Sequence, residues 1–151
     1  MTPALFAFLH HIAAFVIFGA LFAELMLLKP EPTQAQIRLL PRIDAMYGIA
    51  AMVLIVVGLV RVHFTEKGAA YYMHSATFIA KIVLFVVVGL LSIQPTLRFM
   101  AWRGEVQAGR PVEPSPEMLA RIRKFVHAEL GLLLIVILCA VLMARGIGYF
   151  G

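Results

Sequence analysis

The sequence has very little cysteine and little charge. Cys139 is the one cysteine among 151 residues, so the chain cannot form an internal disulfide, and it contains no CxxC pair or Cys/His cluster of a zinc site. The absence of a CxxCH motif also excludes covalently attached c-type haem. Only 14% of the residues are charged and 62% are hydrophobic, whereas about a quarter of a soluble domain is charged. This composition indicates an integral membrane protein.

The charges that are present are mostly basic, and the net charge is +5. They are spread over several loops, which does not indicate a nucleic-acid-binding surface. In a membrane protein such an excess sets the topology and contacts anionic lipid. No Lys or Arg precedes the first apolar run, and no small-residue cleavage site follows it, so we expect this run to be retained in the mature protein.

Four apolar segments approach the ~20 residues that a helix needs to cross a bilayer. They cover residues 4–28, 43–62, 77–97 and 125–144, and Pro or Gly residues lie near their ends. The sequence therefore predicts an all-α membrane protein, a bundle of four transmembrane helices that forms a single domain over residues 1–151.

Basic residues are distributed unequally between the two sides of this predicted bundle. Nine lie in the first and third loops: Lys29, Arg38, Arg42, Arg98, Arg103, Arg110, Arg121, Arg123 and Lys124. The opposite side has Arg61, Lys67 and Arg145. Because basic loops stay in the cytoplasm, we expect both termini to be periplasmic, in the inner membrane of a bacterium.

Small and polar residues mark the faces that we expect to point into the bundle, because lipid offers a polar group no partner. The first segment has such a stripe: His10, Ala13, Ala14, Ile17, Ala20 and Glu24. The second has another: Asp44, Gly48, Ala51, Ile55, Gly58 and Val62. His127 and Glu129 are about 200° apart around the fourth helix. Only one of them can face the centre, and the sequence leaves open which.

Two polar clusters are expected at different depths. The outer-leaflet cluster combines His10 and Lys81, with Arg61, His63 and His74 as further members. The cytoplasmic-side cluster combines Glu24, Asp44, Arg42 and Arg98 with Glu129, His127 or both. Its acids can form structural ion pairs with Arg42 or Arg98, or they can pass protons.

A histidine that projects into a bundle beside small residues, with cations nearby, is suited to b-type haem. His10 is the candidate axial ligand of the haem iron, and Lys81 or Arg61 would pair with the propionates. A second ligand could come from His63, His74 or Lys81, or the iron could be five-coordinate. The alternatives are that His10 only hydrogen-bonds across helices and that Lys81 snorkels to the outer surface.

Several stretches carry a resemblance to a known family: LFAFLHHIAAF, RIDAMYGIAAM, EKGAAYYMHSATFIAKIVLF and LLSIQPTLRF. They resemble an uncharacterised bacterial family of short four-helix membrane proteins, known only as a domain of unknown function. More distantly, the chain is similar to the bacterial four-helix, haem-binding protoporphyrinogen oxidase. That similarity involves His10 with the stretch 20–22, Lys81 early in the third helix, and Arg123, Lys124, Phe125 and Glu129 in the fourth. The resemblance implies a four-helix architecture and bound haem.

These observations together predict a small inner-membrane b-type haem protein with a redox role. It would exchange electrons with quinone or oxidise a porphyrin-like substrate, as a possible membrane oxidoreductase, and it could form a homo-oligomer in contact with lipid. The alternative from another class is a cofactor-free membrane protein with a structural, assembly or transport role.

Overall fold

The structure, a computed structural model, describes residues 2–65 and 69–150. These residues form five α-helices: α1 Thr2–Leu27, α2 Gln34–Val60, α3 Ala69–Met73, α4 Ala76–Gln107 and α5 Pro116–Ala144. A π-helical turn, Arg61–Thr65, continues α2. Lys67, which contributes to the predicted orientation, lies outside the described residues.

Four of the helices are long and apolar enough to span a membrane: α1, α2 with its π-helical turn, α4 and α5. This confirms the all-α, four-span architecture. The side of the membrane on which the termini lie remains a prediction.

The long helices are arranged as a ring in the order α1, α2, α4, α5, with α5 returning to α1. Each helix packs on its neighbour in the chain, and the most extensive contacts are α1 with α2 and α4 with α5. Segments 28–33 and 108–115 connect helices at one end, here called the basic-loop end. The start of α1, the end of α5 and the described residues 61–65 and 69–75 lie at the other, here called the terminal end. All four long helices can therefore contribute side chains to a common interior.

The helices extend beyond the apolar segments at the basic-loop end because capping groups, not hydropathy, determine where they begin. Thr33 caps α2 in a reciprocal pair with Gln36, in which the Gln36 amide donates to Thr33 Oγ1 at 3.3 Å. Ser115 caps α5, which begins with Pro116. At the same end α4 continues through Pro95 to Gln107.

Most of the fully buried core lies toward the basic-loop end. It includes Leu28, Ile37, Leu40, Phe99, Trp102, Val112, Leu119, Ile122 and Val126. Polar contacts attach the loops to this core: Arg123 Nη1 donates to the Leu28 carbonyl at 2.8 Å, and Gln34 Nε2 donates to the Val112 carbonyl at 2.7 Å. The basic-loop end is therefore closed by packed apolar side chains, and hydrogen bonds hold the loops over them.

The terminal end is held by the residues that follow α5. The Ala76 amide donates to the Gly148 carbonyl at 2.8 Å, and the Phe150 amide donates to the His74 carbonyl at 3.0 Å. The rings of Tyr149 and Tyr71 stack with centroids 4.7 Å apart. These contacts connect the C-terminal segment to the start of α4.

Gly148 is required at this contact, which gives a test. Its φ is 87°, and an added Cβ would lie 3.0 Å from Thr77 Cγ2. We expect Gly148→Ala to lower the free energy of unfolding by about 1–2 kcal/mol through the left-handed backbone. The measurement is unfolding in mixed micelles followed by circular dichroism.

Gly131→Ala is the matched control, because Gly131 is helical and an added Cβ meets nothing within 4 Å. We expect this variant to be as stable as the parent or slightly more stable. Equal stability of the two variants would show that the C-terminal segment does not need a glycine at this turn.

Candidate functional site

His10 projects from α1 against α2 and is partly buried. A Cβ added at Gly58 would lie 3.3 Å from its Cε1 atom, so the missing side chain of Gly58 makes room for the ring. The ring also lies near the Leu54 carbonyl, one turn away on α2. Even so, its buried Nδ1 atom has no hydrogen-bond partner. His10 therefore has a polar atom that the described chain does not satisfy.

Basic side chains lie near His10 at the terminal end. Arg61 and Lys81 act electrostatically on it, and the centroid of the His11 ring lies 6.3 Å from that of His10. Lys81 is partly buried, and its Nζ lies 5.0 Å from the centroid of the Phe78 ring. The structure thus brings together three of the residues predicted for the outer-leaflet cluster: His10, Lys81 and Arg61.

The other four histidines are exposed and bond to their own helices. Nδ1 of His11, His63, His74 and His127 lies 2.6–3.0 Å from the carbonyl oxygen four residues earlier. His74 also lies beside the Phe150 ring, with centroids 6.0 Å apart. Among the five histidines, His10 is therefore distinguished by its inward position and its unpaired Nδ1.

A second polar cluster lies toward the basic-loop end. Its acids come from three helices: Glu24 on α1, Asp44 on α2 and Glu129 on α5. Glu129 is 0% exposed, Glu24 is 1% exposed and Asp44 is 8% exposed. Here these three residues are called the acid cluster. The structure decides what the sequence left open on the fourth helix: Glu129 faces inward and His127 faces outward.

Asp44 forms a hydrogen bond with a side chain on another helix. Thr96 Oγ1 on α4 donates to Asp44 Oδ1 at 2.7 Å. Tyr47, one turn after Asp44, lies close to Glu129 and Ser92. Neither oxygen of Glu129 forms a hydrogen bond, nor does Oε1 of Glu24. The cluster is thus enclosed by all four long helices and is only partly satisfied.

The arginines predicted for this cluster lie elsewhere. Arg42 and Arg98 are exposed at the basic-loop end, and no ion pair in the described part of the chain joins them to the acids. Their aliphatic stems and charged heads are free to reach the aqueous surface. The structure brings together Glu24, Asp44 and Glu129 and leaves both arginines outside.

Thr96 and Tyr47 are polar members of this region that the sequence did not reveal. On α4, Lys81 and Ser92 share a side at helical spacing, and Thr96 follows Ser92 one turn later, which was a usable signal for Thr96. On the second helix the predicted stripe of small residues is partly wrong. Ile55 is 42% exposed, and the buried positions are Asp44, Tyr47, Ala50 and Val57. The bulky Tyr47 occupies the centre where a glycine, Gly48, was expected.

The arrangement does not form a compact metal centre. Across residues 2–65 and 69–150, no group of three His, Cys, Asp or Glu side chains is placed to hold a metal ion. The two polar clusters can support ligation by one imidazole at the terminal end and proton binding by carboxyl groups near the basic-loop end.

Fold and composition define a multi-pass membrane protein, a bundle of four spanning helices with two internal polar clusters. Residues 2–148 match the model of the family described as "Predicted membrane protein (DUF2214)", so the chain belongs to that family. No curated protein and no solved structure matches the chain.

The bond between Thr96 and Asp44 gives a test of the packing between α2 and α4. We expect Thr96→Val to lower the free energy of unfolding by about 1–3 kcal/mol, because a buried acid loses its donor. The measurement is unfolding in mixed detergent micelles. Thr96→Ser retains the hydroxyl and should stay near the parent; a Thr96→Val variant as stable as the parent would show that this bond does not stabilise the packing of α2 on α4.

Proposed function

We propose that this protein binds b-type haem through His10 and has a redox role in the membrane. The observation that supports this most is the buried, unpaired Nδ1 atom of His10. A buried polar atom without a partner is costly, and costly groups inside a membrane bundle are commonly functional. His10 would supply the axial imidazole.

The residues around His10 are suited to the same group. Gly58 accommodates the His10 ring against α2, and Ala13 is a small buried neighbour on α1. Lys81 and Arg61 would pair with the propionates, since both act electrostatically on His10. Bound haem would supply a one-electron couple whose potential depends on the axial ligand and on the apolar surroundings.

The other ligand candidates differ in their support. His63 and His74 are exposed, and each already bonds to the carbonyl four residues earlier. Lys81 is partly buried and close to His10. We therefore propose one histidine ligand, His10, with Lys81 and Arg61 as the residues that would hold the propionates.

The partner would be a quinone or a porphyrin-like substrate, and the location would be the inner membrane of a bacterium with both termini in the periplasm. A redox role is proposed because haem iron carries a one-electron couple. The nine basic residues of the first and third loops support the orientation.

A cofactor-free role is the second candidate, and one contact favours it. The His10 ring already packs against Gly58, so the histidine can serve as an interhelical contact without a ligand. The structural, assembly or transport role that follows predicts colourless protein.

Visible absorption of the detergent-purified protein, oxidised and then reduced, distinguishes the two candidates. We expect a Soret band that shifts on reduction and that is lost in His10→Ala, because the axial ligand is gone. His11→Ala is the matched control: its ring is adjacent in sequence, is exposed and bonds to the Ala7 carbonyl. This variant should retain the band.

Two outcomes contradict the proposal. Protein without a Soret band after expression with added haem would favour the cofactor-free role. Full haem content in folded His10→Ala would show that another residue is the ligand.

A further inference from the structure

Two enclosed carboxyl groups have oxygen atoms without a hydrogen-bond partner. Glu129 is 0% exposed and Glu24 is 1% exposed. Oε1 of Glu24 and both carboxyl oxygens of Glu129 form no hydrogen bond. They lie on α1 and α5, which pack directly on each other. The bundle thus holds two unsatisfied carboxyl groups in one interior region.

The charged groups around them are acidic. Asp44 and Glu129 act electrostatically on Glu24, and Asp44 acts electrostatically on Glu129. The uncharged Tyr47 hydroxyl lies close to Glu129. The α4 side contributes Thr96 and Ser92, which carry no charge. Arg123, six residues before Glu129 on α5, donates to the Leu28 carbonyl. No basic side chain in the described residues forms an ion pair with these acids.

This arrangement restricts the charge that the two groups can carry. An ionised carboxylate in low dielectric costs several kcal/mol unless a cation or several donors accompany it. A second ionised acid nearby adds repulsion. Residues 2–65 and 69–150 contain no cage of three or more ligands for a metal ion, so a bound proton is the simplest way to remove the charge.

We propose that Glu24 and Glu129 form a proton-binding site in the interior of the bundle, in which both carboxyl groups hold protons at neutral pH. The proposal does not depend on haem, because it rests on a different cluster of side chains. The occupant is the proton, and the site differs in depth and in residues from the one around His10.

Asp44 and Tyr47 provide the polar connection of this site. Asp44 is the most exposed of the three acids, at 8%, and is bonded to Thr96. Tyr47 lies one turn further along the same helix and close to Glu129. The Tyr47 hydroxyl and the Asp44 carboxyl group, both on α2, can therefore accept a proton that Glu129 releases. Asp44 is in turn bonded to Thr96 on α4.

Infrared spectroscopy of the full chain in lipid at neutral pH tests the proposal without a reagent that must enter the bundle. A protonated carboxyl group has a C=O stretch separate from the bands of a carboxylate. We expect such absorption in the parent, a downward shift of it in D₂O, and loss of part of it in Glu129→Gln and again in Glu24→Gln. Glu117→Gln is the control, because Glu117 is exposed at the start of α5 and should contribute nothing.

The same variants make the proposal falsifiable through stability. Gln is neutral and nearly isosteric with a protonated Glu, so both buried variants should fold and should unfold near the parent. A parent spectrum without the C=O stretch would overturn the proposal. Failure of either Gln variant to fold would also overturn it, because the fold would then need a negative charge at that position. Disappearance of the band on addition of NaCl would overturn it as well, because it would indicate a sodium site.

Discussion

The cost of placing a polar side chain in hydrocarbon determines how the four long helices face one another. Lipid cannot hydrogen-bond to an imidazole or a carboxyl group, so each such group within a span must point inward or bond to its own helix. Both solutions occur here. His10 and Glu129 point inward, while His11 and His127 bond to carbonyls one turn earlier. Two residues apart on one helix, Glu129 and His127 show the two solutions side by side.

The two ends of the bundle are built differently. At the basic-loop end the helices extend past the apolar segments, and large apolar side chains such as Phe99 and Trp102 fill the space between them. At the terminal end α1 contacts α2 through a small residue, since Gly58 lies beside His10. The C-terminal segment is attached there by backbone hydrogen bonds of Gly148 with Ala76 and of Phe150 with His74. The acid cluster lies against the well-packed core, whereas His10 lies where side chains are small and cations are close.

The sequence predicted the number of spans and the inward face of α1, because both depend on hydrophobic length and helical spacing. It could not predict the ends of the helices: Thr33 and Ser115 start them within polar segments that a hydropathy argument assigns to loops. It also could not choose between Glu129 and His127, since the rotation of a helix depends on its partners. The bond from Thr96 to Asp44 was missed because a contact with an acid on another helix has no signature in one sequence, although helical spacing places Thr96 on the same side of α4 as Ser92.

The central claim is that the carboxyl groups of Glu24, Asp44 and Glu129 lie on the bundle's interior faces. Photolabelling with a diazirine carried on a lipid tail, followed by peptide mass spectrometry, tests it most directly on α5. Labels are expected on Leu134 and Leu138, which are 57% and 54% exposed, and not on Glu129 or Leu133, which are buried. Labelling of Glu129 and Leu133 with protection of Leu134 and Leu138 would contradict the claim, because α5 would then present its carboxyl group to lipid.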